Sequence, residues 1–237
     1  MEYEQDRRFS DPLVMQIVET WRLRQDMVRA QQKLTLQIKA VLRRFTAGDK
    51  DAADKLYSAI EKGENRPEAI AVASLRMARE PLEQQRKAYE KVLEKLAKQL
   101  PIYAYTEQIK GYGALALAKT VGECGDLSAY PTVSGVWKRA GLAVIDGQRQ
   151  RRVTGEEALK HGYSPMRRSV FWNIADPLLK AQGKDDNAGP YRRIYDTRKA
   201  FELGKPDMKP ALAHNRAMRY MTKELLKHLT VEWKRIA

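Results

Sequence analysis

Residues 109–122 read IKGYGALALAKTVG, and the way this stretch is built decides the fold. Gly111 and Gly113 stand one residue apart between two segments with apolar residues at helical spacing. Glycine loses more backbone freedom on folding than any other residue, so a pair of them marks geometry that other residues resist. Ile109 and Tyr112 are spaced to plug the junction between the helix before and the helix after. The N–H groups of residues 113–115 then open a helix with no acceptor of their own. Free N–H groups at the positive end of a helix dipole favour a phosphate oxygen, and Lys110 and Lys119 add positive charge nearby. A plain tight turn between packed helices is the alternative reading.

Working outward, the chain reads as helices on both sides. Asp11 suits an N-cap and Pro12 a first helical position, and neither proline nor glycine then interrupts the chain until Gly48. Apolar residues recur at Val14, Ile17, Trp21, Val28, Leu34, Ile38, Leu42 and Phe45, a spacing near 3.5 that predicts one long helix over 12–45 with a narrow seam. Arg24 and Gln31 interrupt the seam. It packs either on its own chain or on a second copy as a coiled coil, and a homo-oligomer is expected. Shorter helices are expected over 49–63 and 67–80, and a longer one over 82–100 that Pro101 stops or kinks. After the glycine turn come helices over 114–121 and 132–140, the latter closed by Gly141. Residues 143–157 read as a Gly/Arg-rich connection. Helices follow over 164–180, with Pro177 as an end or kink, then 190–203 and 208–235. No segment alternates as a half-buried strand. The expectation is an all-α fold, with a coiled-coil-like helical region over 1–100 and a helical DNA-binding domain over 101–237.

The charge is large and uneven. The 237 residues carry a formal +14 and a sequence pI near 9.8, which favours polyanionic partners. Residues 138–237 hold 22 basic and 11 acidic side chains, a net +11, whereas the first 137 hold 22 and 19, a net +3. The single cysteine, Cys124, rules out an intrachain disulfide framework and reads as a buried thiol. With His161, His214 and His228 it offers no metal-ligand spacing, so neither metal nor cofactor is expected. No apolar run approaches the roughly 20 residues needed to span a bilayer. The N-terminal MEYEQDRRF lacks the apolar core of a signal peptide, so a cytoplasmic protein is expected.

Two further groups of cations stand out. DGQRQRRVTG gathers Arg149, Arg151 and Arg152 in the connection. In the terminal helix Arg216, Arg219, Lys223 and Lys227 recur at i, i+3, i+7 and i+11 on one stripe, with Glu224 close by. His214 and Asn215, at the start of that helix, read as capping or packing residues or as contacts to a base or phosphate. Aromatic residues are few, 8% of the chain, and are not interleaved with the basic runs, which favours duplex phosphate contacts over single-strand stacking.

The glycine turn resembles a helix-hairpin-helix element, which grips nucleic-acid backbone without reading sequence. The ordered series around it resembles the C-terminal domain of the IS-one-ten family of insertion-sequence transposases, bridge-RNA-guided DEDD/serine recombinases. The matching elements are the Ile-x-Gly-x-Gly hairpin, the alanine-rich helix, Gly125-Asp126-Leu127, Tyr130-Pro131 and Gly141-Leu142-Ala143. Lys160-x-Gly162, Arg167-Arg168 and the closing stretch over 191–226 follow. The resemblance covers about residues 105–230 and implies nucleic-acid contacts by Arg167 and Arg168.

The chain departs from that family in two places. The family's RuvC-like metal-binding domain begins with an apolar strand bearing an aspartate, whereas residues 1–100 read as helical. Asp6, Asp11, Glu19 and Asp26 fall in a capping tail or on a helix surface. Where the family carries a Ser-Gly nucleophile, this chain has Asp146-Gly147, and Thr154 is the nearest hydroxyl alternative. The expectation is therefore a non-catalytic duplex-DNA-binding protein with an architectural or regulatory role. A recombinase completed by a partner's catalytic domain and a binder of structured RNA are the alternatives.

Overall fold

Asp11 and Pro12 start the first helix in the computed structural model, which describes residues 7–237. The Asp11 Oδ1 accepts a hydrogen bond from the Val14 N–H at 2.9 Å, and helix α1 runs Pro12–Arg43. Arg44–Thr46 forms a 3-10 turn closed by Ala47 and Gly48, both at positive φ. Helix α2 (Lys50–Glu61) is capped by Asp49, whose Oδ1 accepts from the Asp51 and Ala52 N–H groups. A 3-10 segment, Pro67–Val72, leads into α3 (Ala73–Ala97).

Here the sequence and the fold part company. Proline suggests a break near residue 81, yet α3 carries Pro81 in its interior. Losing one backbone hydrogen bond costs about 3 kcal/mol, which a helix of 25 residues with Leu93, Leu96 and Ala97 buried can absorb. Pro177 likewise lies inside a helix, α8 (Pro165–Ala181), which covers the 164–180 span expected from the sequence.

The elements between are α4 (Tyr103–Thr106), α5 (Ala114–Cys124), α6 (Val133–Arg139) and α7 (Glu157–His161), and α9 (Pro190–Leu203) and α10 (Pro210–Ile236) close the chain. The fold is all-α, apart from a small antiparallel pair that takes the place of part of the expected connection. Strand β1 (Val144–Ile145) pairs with β2 (Gln148–Arg149), Val144 opposite Arg149. Asp146 and Gly147 form the turn, both at positive φ, the geometry that an Asp-Gly pair favours in a two-residue hairpin.

The chain divides into two compact units, with boundaries that fall inside α1 and α3. Thr20–Val92 is one of them. Its core joins Ile38 and Leu42 of α1, Ala53 and Ile60 of α2, and Val72. Arg24, an interruption of the seam by sequence, meets Glu90 of α3 at 3.0 and 2.6 Å through Nε and Nη2. Burial raises the Glu90 carboxyl, but Arg24 and Arg86 outweigh it and lower its pKa. Val14, Ile17, Trp21, Ile38 and Leu42 are all buried by the chain itself, whereas Phe45 is exposed. Val28 and Leu34 of the same seam are half-buried.

The other unit comprises the described residues up to Glu19 and Leu93–Ala237. Helix α10 is its centre, packed against α6, α8 and α9 with Met218, Met221, Leu225, Leu226, Leu229 and Trp233 buried. Its two buried hydroxyls, Thr222 and Thr230, each donate to the carbonyl four residues earlier at 2.7 Å, so neither is left unsatisfied. Helix α5 packs on α4, α6 and α8. Among the described residues no helix is long and apolar enough to cross a membrane.

Candidate nucleic-acid interface

The two glycines of the 109–122 stretch have different jobs. Gly111 lies at φ +88°, and a Cβ there would sit 2.6 Å from Ala181 Cβ and 3.0 Å from Leu178 Cα. Its close neighbour is α8, not a ligand, so this glycine serves packing. Gln182, buried at the end of α8, locks the turn in place. Its Nε2 donates to the Lys110 carbonyl at 2.6 Å and its Oε1 accepts from the Tyr191 N–H at 3.3 Å. Tyr112 is buried beneath, its hydroxyl 2.6 Å from Thr120 Oγ1.

Gly113 is the N-cap of α5, in extended backbone at φ −78° and ψ −179°. It is exposed, open space surrounds the position of a Cβ, and no side chain caps the helix. This is the open side of the turn, next to the exposed Lys110. Lys119 lies partly buried further along α5.

A second group forms where α6 ends. Gly141, at φ +73°, lets the chain pass Arg168 Cβ and the Tyr163 ring, each 3.3 Å from where its own Cβ would be. The next two carbonyls, of Leu142 and Ala143, accept from Arg219 Nη2 at 2.7 and 2.6 Å. Val144 is paired with Arg149 across the hairpin. Arginines from β2, α8 and α10 thus gather round residues 141–144, a segment at most about 11 Å from end to end. Gln150 holds the arrangement from below. It is buried, its Nε2 donates to the Lys138 and His161 carbonyls, and its Oε1 accepts from the Ala143 N–H.

Lys223 extends the group along α10, with Nζ 3.8 Å from the Trp137 ring centroid and its carbonyl accepting from Trp137 Nε1 at 3.0 Å. Arg168 lies 5.9 Å from the Trp172 centroid. The charges are held at a cost. Burial lowers the pKa of the Arg168 guanidinium and Arg149 lowers it further. Burial does the same to Arg219, with Arg168 and Arg149 adding to it, and to Lys223, with Arg219 adding. Among the described residues no carboxylate forms an ion pair with Arg149, Arg168, Arg219 or Lys223. Arg168, Arg219 and Lys223 are half-buried and Arg149 is exposed; like charges held this way favour a nearby anion.

Other cations picked out by sequence are placed differently. Arg167 turns into the packing of α5 and α6, with Nε 3.2 Å from Glu123 Oε2 and Nη1 3.2 Å from the Arg139 carbonyl. Arg216 is 2.9 Å from Glu202 Oε2, and Lys227 3.4 Å from Glu224 Oε2, so half of the α10 stripe carries its own counter-ions. Glu202 is buried. Burial would raise its carboxyl, but hydrogen bonds from Lys205, Arg216 and Arg198 hold it at about 2. Arg151 and Arg152 follow the hairpin and are exposed. His214 accepts or donates to Tyr195 through Nδ1 at 2.7 Å and meets Trp172 edge to face, a packing role.

Asp146 stands in the hairpin turn, where its carboxylate pairs with Lys160 at 2.7 Å. Thr154 is exposed in the segment that follows. Cys124 is buried, and burial pushes its thiol up to about 12. Among the described residues no three His, Cys, Asp or Glu side chains are grouped as metal ligands.

Gln150, Tyr163, Trp137 and Trp172 are the contributors that sequence reading misses. The Asp-Gly pair in VIDGQR is the one local signal that points to the hairpin presenting Arg149. The glycine turn meets α8 at Leu178 and Ala181, and Arg168 stands near its other end. At 1.5 Å per residue the two positive regions are roughly 15–20 Å apart along that helix. No protein-family model matches the chain, and no curated protein or solved structure matches it either.

Proposed function

We propose that this chain binds duplex nucleic acid by its phosphate backbone, with Arg149, Arg168, Arg219 and Lys223 as the principal clamp. Lys110 and the uncapped start of α5 are a second contact. The observation that carries the reading is that Arg168, Arg219 and Lys223 of α8 and α10 are partly desolvated and stand beside the exposed Arg149 of β2, without an ion-paired carboxylate on any of the four. Folding alone would select against that arrangement, because like charges at close range and in lowered dielectric oppose each other. A phosphate relieves the repulsion and gains charge-assisted hydrogen bonds.

Descent from, or kinship with, the C-terminal domain of IS-one-ten transposases belongs to the same proposal. It is supported by the ordered series of elements, and the Gly141-Leu142-Ala143 step of that series is the segment round which the arginines gather. The reading is of binding without strand cleavage, in an architectural or regulatory role. A hairpin turn bearing a lysine-paired aspartate offers no nucleophile where the family's serine stands. A homo-oligomer belongs to the same proposal.

Fluorescence anisotropy with a labelled duplex tests the proposal. Binding should weaken steeply between about 50 and 200 mM salt as released counter-ions lose their advantage. Absent binding at the lower salt, or a flat response, refutes it.

A further inference from the structure

Sequence reading sets the few aromatic residues apart from the cations. The fold brings two of them back together. Phe201 of α9 and Tyr220 of α10 are 59% and 40% exposed, and both line a cleft of about 480 Å³ with Arg193, Ile194, Arg198 and Glu224. Arg198 lies 5.0 Å from the Phe201 centroid and 5.1 Å from that of Tyr220, and Lys205 stands 4.6 Å from Phe201. The Arg198 Nε is enclosed and has no hydrogen-bond partner.

We propose that this cleft receives an unpaired nucleobase, stacked on Phe201 or Tyr220, with the strand's phosphates running on to Lys223 and Arg219. The inference rests on the phosphate-binding reading and names what that partner must contain: unpaired nucleotides beside the duplex. Three features favour a base over an apolar protein side chain. Both rings have cations at their faces, which suits a polar, π-faced ligand flanked by phosphate. The Arg198 N–H, enclosed and unpartnered, becomes a donor to a base acceptor once the side chain turns toward the cleft. The cleft also lies beside the clamp, since its wall residues Tyr220 and Glu224 are the immediate neighbours of Arg219 and Lys223 along α10. Glu224 is the one acid on the wall, and it already holds Lys227.

The experiment compares three ligands on one labelled duplex: blunt, with a tail of about six thymidines, and with an abasic tail of the same length and charge. A uridine tail separates RNA from DNA. Stacking of a single base should make the thymidine or the uridine tail bind at least about five-fold tighter than the abasic one. Phe201→Ala with Tyr220→Ala should abolish that gain, and Tyr220→Phe should keep it. Both side chains are exposed, and circular dichroism confirms that the variants fold. Equal binding of base-bearing and abasic tails overturns the inference but leaves the duplex reading standing if the blunt ligand binds with a steep salt dependence. A gain that survives the double substitution also overturns it. Failure of all the ligands to bind overturns both.

Discussion

Arg168 offers the sharpest test, because a structural arginine and a ligand-binding arginine respond to removal in opposite ways. Its guanidinium is partly buried, has no ion-paired carboxylate and is opposed by Arg149. Arg168→Gln should therefore leave stability unchanged or raise it by about 0.5 kcal/mol, the scale of a relieved like-charge contact. Binding should suffer instead. With four phosphates neutralised, the slope of log K against log salt is about −3.6, a loss of roughly 150-fold in affinity from 50 to 200 mM salt. With three, the slope is about −2.7 and the loss roughly 40-fold. At fixed salt near 100 mM, one charge-assisted contact of about 1.5 kcal/mol amounts to about ten-fold in Kd. Anisotropy titrations of wild type and variant at four salt concentrations give the slopes, and urea denaturation gives the stabilities. An unchanged slope refutes the clamp. A stability loss beyond about 1.5 kcal/mol would show that Arg168 holds the fold together instead.

The neighbouring Arg167 should behave in the reverse sense. Breaking its pair with Glu123 by Arg167→Met should cost about 1–3 kcal/mol in urea denaturation, with the salt slope of DNA binding unchanged. At the glycine turn, Gly111→Ala should destabilise by about 2 kcal/mol or more through its clash with Ala181, whereas Gly113→Asp supplies the missing cap and should raise Tm. If the start of α5 touches phosphate, Gly113→Asp should also weaken DNA binding; unchanged affinity removes that contact from the interface. Glu202 is held at about 2, below its ordinary 4.5, so its ion cluster stabilises fully above pH 4.5 and ceases to do so as pH falls through 2. The stability gap between wild type and Glu202→Gln, of order 1–2 kcal/mol once screening by the exposed partners is allowed for, should close over that range in a denaturation series. A gap equal at pH 5 and pH 2 would show that the charges are not its cause.

Local chemistry was readable along the chain, and tertiary convergence was not. Asp11 before Pro12 caps α1 as its side chain suggests. Pro81 misled, because a proline's cost is local and packing along a long helix can outweigh it. Asp146-Gly147 carries a hairpin signal, but two-residue strands are too short to show alternation. Arg149, Arg168 and Arg219 come from three separate stretches, and nothing in their spacing announces that they meet around residues 141–144. The α10 stripe looks uniformly positive by periodicity. Only the fold reveals that Glu202, arriving from α9, neutralises part of it.

Helix α8 fixes the gap between the glycine turn and the arginines, and on the proposed duplex-binding reading it would work as a ruler. Duplex DNA advances about 3.4 Å per base pair, so a separation of roughly 15–20 Å corresponds to about four to six pairs, or half a turn. A footprint should accordingly show two protected patches that many pairs apart, with less protection between them. A duplex shorter than this span engages one end at a time and forfeits the advantage of holding both.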